Sequence, residues 1–117
     1  MGFGPVPEFG AFVADDGMGR LLGMAVHYQI PFMHQMRPLL MMKWLYVAPE
    51  ARKLGVGRLL MQAMARHAKA TGHEKFCWFV LKDNERAQRF YRSLGAMPDP
   101  DWDRWMMPAE GIDALSP

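Results

Sequence analysis

The segment from Leu39 to Ala68 constrains the chain most. Leu39-Leu40-Met41-Met42-Lys43-Trp44-Leu45-Tyr46-Val47 is apolar except for one lysine. A run of that kind predicts a strand covered on both faces. Pro49 stops it. After Gly55-Val56-Gly57, apolar residues recur at Val56, Leu59, Leu60, Ala63, Met64 and Ala68, while Arg58, Gln62, Arg66 and Lys69 fall on the other side. That spacing predicts an amphipathic helix, with Gly72 placed to end it. A strand that feeds a helix through a loop must bury one against the other, so the chain is committed to a sheet with helices packed on it.

The flanking segments extend this pattern. Phe9–Ala14 and Leu21–Ile30 read as a hairpin around the turn Asp15-Asp16-Gly17-Met18-Gly19. Met1–Pro7 is rich in Gly and Pro, and Pro31–Pro38 reads as a loop. Lys75–Leu81 predicts a fourth strand. Asn84 predicts an N-cap for a helix carrying Ala87, Phe90, Tyr91 and Leu94, closed by Gly95. Trp102–Met107 predicts a last, weaker strand. The resulting order is β-β-β-α-β-α-β, a mixed sheet in one domain spanning 1–117.

Composition narrows the partners. The net charge of +2 suits a small anionic ligand but lacks the clustered basic face that marks a nucleic-acid binder. No apolar stretch approaches the ~20 residues that span a membrane, and the N-terminus has no signal-peptide pattern. The lone Cys77 lies in an apolar run, where a buried core residue is the ordinary reading; a cytoplasmic setting is the corresponding expectation. No cluster with metal-ligand spacing is present, so no metal is expected.

The chemistry concentrates between the third strand and its helix. Two glycines at a helix mouth let backbone N–H groups close on an anion, and the helix dipole adds positive charge there. Arg52, Lys53 and Arg58 add formal charge. Taken alone, the loop fits a pyrophosphate site and a Gly-rich connector with solvated cations about equally. A Walker A loop would need Lys-Ser/Thr after its last glycine, where Arg58-Leu59 stands. A dinucleotide fingerprint would need a third glycine at Leu60 and a tight turn straight after the strand, whereas Gly55 lies eight positions beyond Val47.

What does fit is Arg-x-x-Gly-x-Gly at Arg52, Gly55 and Gly57, preceded by Leu45-Tyr46-Val47 and followed by Leu59-Leu60. This resembles motif A of the GNAT superfamily of N-acetyltransferases. Asn84-Glu85-Arg86-Ala87-Gln88-Arg89-Phe90-Tyr91-Arg92-Ser93-Leu94-Gly95-Ala96 resembles that family's motif B. The likeness runs over roughly Leu21–Met107. Its later part is most similar to the diamine (spermidine/spermine) acetyltransferase branch.

The resemblance implies an α/β (α+β) fold. The sheet is mixed and mostly antiparallel, with splayed central parallel strands and flanking helices, and it lacks the family's usual first strand and first two helices. It implies acetyl-CoA as co-substrate, an amine acceptor and a homodimer. In the family pantetheine lies between the splayed strands. Backbone groups of Leu45 and Val47 would bond it, with Tyr46 facing away. The N–H groups of Lys53, Leu54, Gly55, Val56, Gly57 and Arg58, with Arg52 alongside, would hold the pyrophosphate. Asn84 would reach the pantetheine, and Ala87 would leave room for it.

Tyr91 matches the family's general acid. Amine attack on a thioester forms an oxyanion, held by a strand N–H near Leu45, and then expels a thiolate. A tyrosine with an ordinary pKa of about 10 is a proton source for that leaving group at neutral pH. A core aromatic on the apolar stripe is the alternative role for Tyr91. Asn84 can likewise serve only as a cap.

Two departures stand out. Many family members carry a glutamate base where this chain has Lys43. A protonated lysine cannot accept a proton and repels a polyamine, so deprotonation falls to water, His27, His34 or Glu50. The pattern also begins at the family's second strand, which implies an unusually open acceptor pocket, one covered by a partner subunit, or an N-terminally shortened variant.

Overall fold

The computed structural model describes residues 9–33 and 37–116. The chain divides into two compact units, Met1–Asp83 and Asn84–Pro117. The first contains β1 (Phe9–Asp15), β2 (Leu21–Met33), β3 (Arg37–Val47), a 3₁₀ turn (Pro49–Ala51), α1 (Val56–Ala70) and β4 (Phe76–Cys77). The second contains α2 (Glu85–Ser93) and α3 (Ala109–Leu115). The sheet runs β1-β2-β3-β4, antiparallel except for the parallel β3–β4 pair. This is the mixed, mostly antiparallel sheet with helices that the sequence predicts.

The β1–β2 turn closes on its own aspartates. Asp15 accepts from Gly17 N at 2.8 Å and Asp16 from Met18 N at 2.7 Å. β1 alternates strictly, with Gly10, Phe12 and Ala14 turned inward. Register places Gly23, Ala25, His27 and Gln29 of β2 on the same face, the one that packs on α1. Against them α1 buries Val56, Leu60, Met61, Met64 and Ala68, and Met64 and Leu40 are the largest wholly enclosed side chains.

Four predicted features differ. Leu59 is 58% exposed and Met61 is buried instead. The buried stripe centres on Met64, and Leu59 lies more than a quarter turn off that line. β2 and β3 continue through Pro31 and Pro38, so strand replaces the expected loop at 31–33 and 37–38, and the rest of it lies outside the described residues. The prolines are tolerated because the register is irregular between Ile30 and Met33, where ladder bonds are already interrupted.

The fourth strand is two residues long rather than seven. β4 pairs as Leu40↔Phe76 and Met41↔Cys77, and Cys77 ends up half-buried. The next stretch of β3 carries a bulge: Val26 pairs with Trp44 and His27 with Met42, leaving Lys43 as the extra residue. A bulge bends its strand and interrupts pairing. From Met42 onward β3 therefore has a strand partner only on its β2 side, among the described residues.

In the second unit Trp102–Met107 forms no strand, and α3 follows Pro108. A strand needs a neighbouring strand for its backbone groups, and the described sheet has no ladder there. α2 is capped as predicted: Asn84 Oδ1 accepts from Ala87 N at 3.1 Å. Gly95 ends it with a φ of 98°.

Candidate functional site

The loop between β3 and α1 is built by short-range bonds. Ala48 N donates to Leu22 O at 2.8 Å, which pins the end of β3 to β2. Ala51 N returns to Ala48 O at 2.8 Å and Leu54 N to Ala51 O at 3.0 Å, winding the chain through a single turn after Pro49. Ala51 is wholly buried, so the loop hangs from it, and Arg52, Lys53 and Leu54 face solvent. Arg20, just past the β1–β2 turn, hydrogen-bonds and ion-pairs with Glu50. The pair is exposed, so it orients the loop more than it stabilises the fold.

Gly55 then reverses the chain in the left-handed region, with φ 77° and ψ 14°, and caps α1 without any side-chain hydrogen bond. The first intrahelical bond of this turn runs from Leu59 N to Gly55 O at 3.1 Å. The N–H groups of Val56, Gly57 and Arg58 precede it and have no intrahelical acceptor. Fifteen residues of aligned peptide dipoles stand behind them. Val56 and Leu60 anchor this helix start against Gly23. Arg52, Lys53 and Arg58 are all exposed around it. The arrangement can receive an anion on backbone donors with cations at its rim.

Upstream of the loop, Leu45 pairs with Ala25 and Val47 with Gly23, which by register places both on the α1 face. Tyr46 alternates to the other face and is 45% exposed. Lys43, at the bulge, is exposed, and its Nζ lies 5.5 Å from the centroid of the Trp44 ring. The first unit thus holds Leu45, Tyr46, Val47 and the whole segment Arg52–Arg58 in one strand–loop–helix run.

The second unit holds the other three predicted positions on one helix. Asn84 and Ala87 are joined directly by the cap bond, and Ala87 and Tyr91 lie one turn apart on the same face. Tyr91 is half-buried, and that burial raises its pKa above the ordinary tyrosine value. Its hydroxyl therefore stays protonated at neutral pH. Phe90 packs beside it, with ring centroids 5.4 Å apart.

The candidate bases separate. Glu50 is exposed, and its pKa is lowered by its own backbone N–H and by Arg20, which makes it a poorer proton acceptor. His27 lies on the α1 face, ring to ring with His67 at 4.5 Å. His34 lies outside the described residues. The bulge at Lys43, the Arg20–Glu50 pair and the His27–His67 contact carry no sequence signal, because each depends on strand register or on residues distant in the chain.

Among the described residues no helix is long and apolar enough to cross a membrane. No group of three or more His, Cys, Asp or Glu side chains there is arranged to hold a metal.

Comparison with known proteins agrees with this geometry. The model of the acetyltransferase (GNAT) family matches residues 4–96. L-ornithine N5-acetyltransferase NATA1 of Arabidopsis thaliana is 30% identical over 64 residues, which is 55% of this chain and 28% of that protein. Among solved structures, a protein described as a probable acetyltransferase superposes with a TM-score of 0.76 at 28% identity, over 86% of this chain and 68% of its own. An integron cassette protein from the mobile metagenome of V. cholerae gives a TM-score of 0.70 at 26% identity, over 82% of this chain and 59% of its own. The chain thus spans about a quarter of the plant enzyme and between half and three quarters of the solved structures it resembles.

Proposed function

Because the chain belongs to the acetyltransferase (GNAT) family, we propose that it is an acetyl-CoA-dependent N-acetyltransferase that transfers the acetyl group directly to the amine of a small molecule. The observation that carries this reading is the start of α1. Gly55 opens the helix in a left-handed conformation, no side chain caps it, and Arg52, Lys53 and Arg58 surround it. Pyrophosphate is the anion whose two charged groups suit several backbone donors and a cationic rim.

In this reading Leu45 and Val47 present backbone groups to the pantetheine, downstream of the last described β3–β4 pair at Met41. Asn84 and Ala87 line the same cofactor. The free amine attacks the thioester carbonyl, and a β3 N–H near Leu45 holds the oxyanion. Collapse breaks the C–S bond and expels the thiolate, which Tyr91 protonates; the attacking nitrogen sheds its extra proton to water, and water returns one to Tyr91, whose raised pKa keeps it protonated at neutral pH.

Lys43 bears on the acceptor. An exposed ammonium at the bulge disfavours a polyamine, whose charges it repels, and favours an amine that also carries a carboxylate. The plant relative is named for ornithine, a substrate of that chemical kind. A diamine or polyamine that lacks a carboxylate is accordingly the less suitable acceptor, despite the likeness to the diamine branch.

The same lysine favours one second reading, an acyl-CoA-binding module with little or no turnover, since no carboxylate base occupies its place. Two measurements separate the readings. Acetyl-CoA at a hundred times its Kd should stabilise the chain by about 2.7 kcal/mol in either case. Release of free thiol across a panel of amines should occur only for the enzyme. If acetyl-CoA produces no thermal shift, both readings fall.

A further inference from the structure

We propose that His27, His67 and His73 form an acid-responsive latch at the C-terminal end of α1, in which proton uptake works against the packing of that end of the helix on β2. None of the three is among the residues assigned to acetyl-CoA, so the proposal stands or falls independently of the cofactor assignment.

The geometry is a layer of imidazoles between helix and sheet. The His27 ring, from β2, and the His67 ring, from α1, lie 4.5 Å apart between centroids with a tilt of 38°. Phe12 of β1 closes over both, at 5.2 Å from His27 and 5.8 Å from His67. A Cβ on Gly10 would come within 2.4 Å of His27 Cε1, so β1 reserves this space for the ring. Beside the pair is a cavity of about 100 Å³, lined by Phe9, His27, Gln29, Leu40, His67 and Thr71. His73 follows the helix. Its Nδ1 is 2.7 Å from Thr71 Oγ1, and its Nε2 is closed off from solvent with no hydrogen-bond partner.

Among the described residues, the groups that face the pair are uncharged. β1 contributes Gly10 and Phe12, β2 contributes Gln29, β3 contributes Leu40 and Met42, and α1 contributes Thr71. The charged residues next to His67 on α1, Arg66 and Lys69, are cationic and exposed. Burial, and then the charge of His67, lower the pKa of both His27 and His73. The three imidazoles do not converge on a metal.

The direction follows from linkage. Groups whose folded-state pKa is lowered bind fewer protons folded than unfolded as pH falls through about 6.5, the ordinary histidine value. The stability they support is present above that pH and is lost on acidification towards their folded-state values. One extra proton taken up on unfolding multiplies the unfolding constant by ten per pH unit.

The test is urea unfolding of the full chain between pH 7.5 and 5.5. The wild type should show an unfolding constant that rises by up to about tenfold per pH unit for each imidazole that takes up a proton. His27→Gln should flatten that dependence, and Lys69→Gln should leave it as it is. Equal pH dependence in wild type and His27→Gln overturns the proposal. Should His27→Gln fail to fold, proton NMR titration of the wild-type imidazoles decides: His27 and His73 must titrate below the ordinary histidine value, and titration at or above it overturns the latch.

Discussion

A Cβ placed on Gly23 of β2 would lie 3.0 Å from Cγ1 of Val56, the first residue of α1. The same atom would lie 2.6 Å from the carbonyl oxygen of Tyr46, which is backbone and cannot swing aside. The missing side chain is what lets the helix start settle onto the sheet.

Gly23→Ala should therefore destabilise the chain by about 1–3 kcal/mol, the usual cost of overpacking a filled core. Urea denaturation reads this directly. A change within 0.5 kcal/mol, on the order of an ordinary surface substitution, would show that the contact relaxes freely.

Gly55→Val tests the loop. Nothing lies within 4 Å of a Cβ at this position, but its φ of 77° is strained for a β-branched residue. A cost of about 1–2 kcal/mol is expected from backbone conformation alone. Acetyl-CoA affinity, measured by calorimetry, should fall along with it. Unchanged affinity would remove the helix start from the cofactor site.

Asn84→Ala removes the cap bond to Ala87 N, at a cost of about 1 kcal/mol. Asn84→Ser should recover most of the stability. If Asn84 also touches pantetheine, acetyl-CoA affinity will not recover in Asn84→Ser. Recovery of both would leave the residue a cap alone.

Tyr91→Phe keeps the ring and removes the proton. If Tyr91 is the acid, turnover at neutral pH should drop about 10²–10⁴-fold, with the melting temperature nearly unchanged. Because burial raises the Tyr91 pKa, any alkaline decline in the wild-type rate through this group should lie above pH 10. Full activity of Tyr91→Phe across the pH range rules out the assignment.

Lys43→Glu reverses the charge at the bulge. It should move acceptor preference on an amine panel from carboxylate-bearing amines towards polyamines. An unaltered ranking would place Lys43 outside the acceptor's reach.

The local elements were legible where local chemistry decides them. β1, α1, α2 and their ends follow from alternation, helical spacing and caps at Gly55, Asn84 and Gly95. Motif residues could be placed on strand, loop and helix for the same reason. The errors arose where pairing decides. Lys75–Leu81 has strand character throughout, but its described ladder with β3 stops at Met41, just ahead of the irregularity at Lys43. Trp102–Met107 has similar character with no ladder to join. Leu59 carries the right residue type more than a quarter turn off the buried line of the helix. The histidine cluster was illegible because β2 and α1 meet there only after folding.

The bulge at Lys43 works as a frameshift in three dimensions. Side chains on a strand alternate, so one surplus residue exchanges the two faces for everything downstream. Before it, Leu40 and Met42 point at α1; after it, Leu45 and Val47 do. Had the strand run on without interruption, Trp44 and Tyr46 would have been driven against Gly23 and Ala25, where Val56 and Leu60 already fill the space. Deleting that single position would thus turn the strand inside out up to the edge of the loop, while changing the composition by only one lysine.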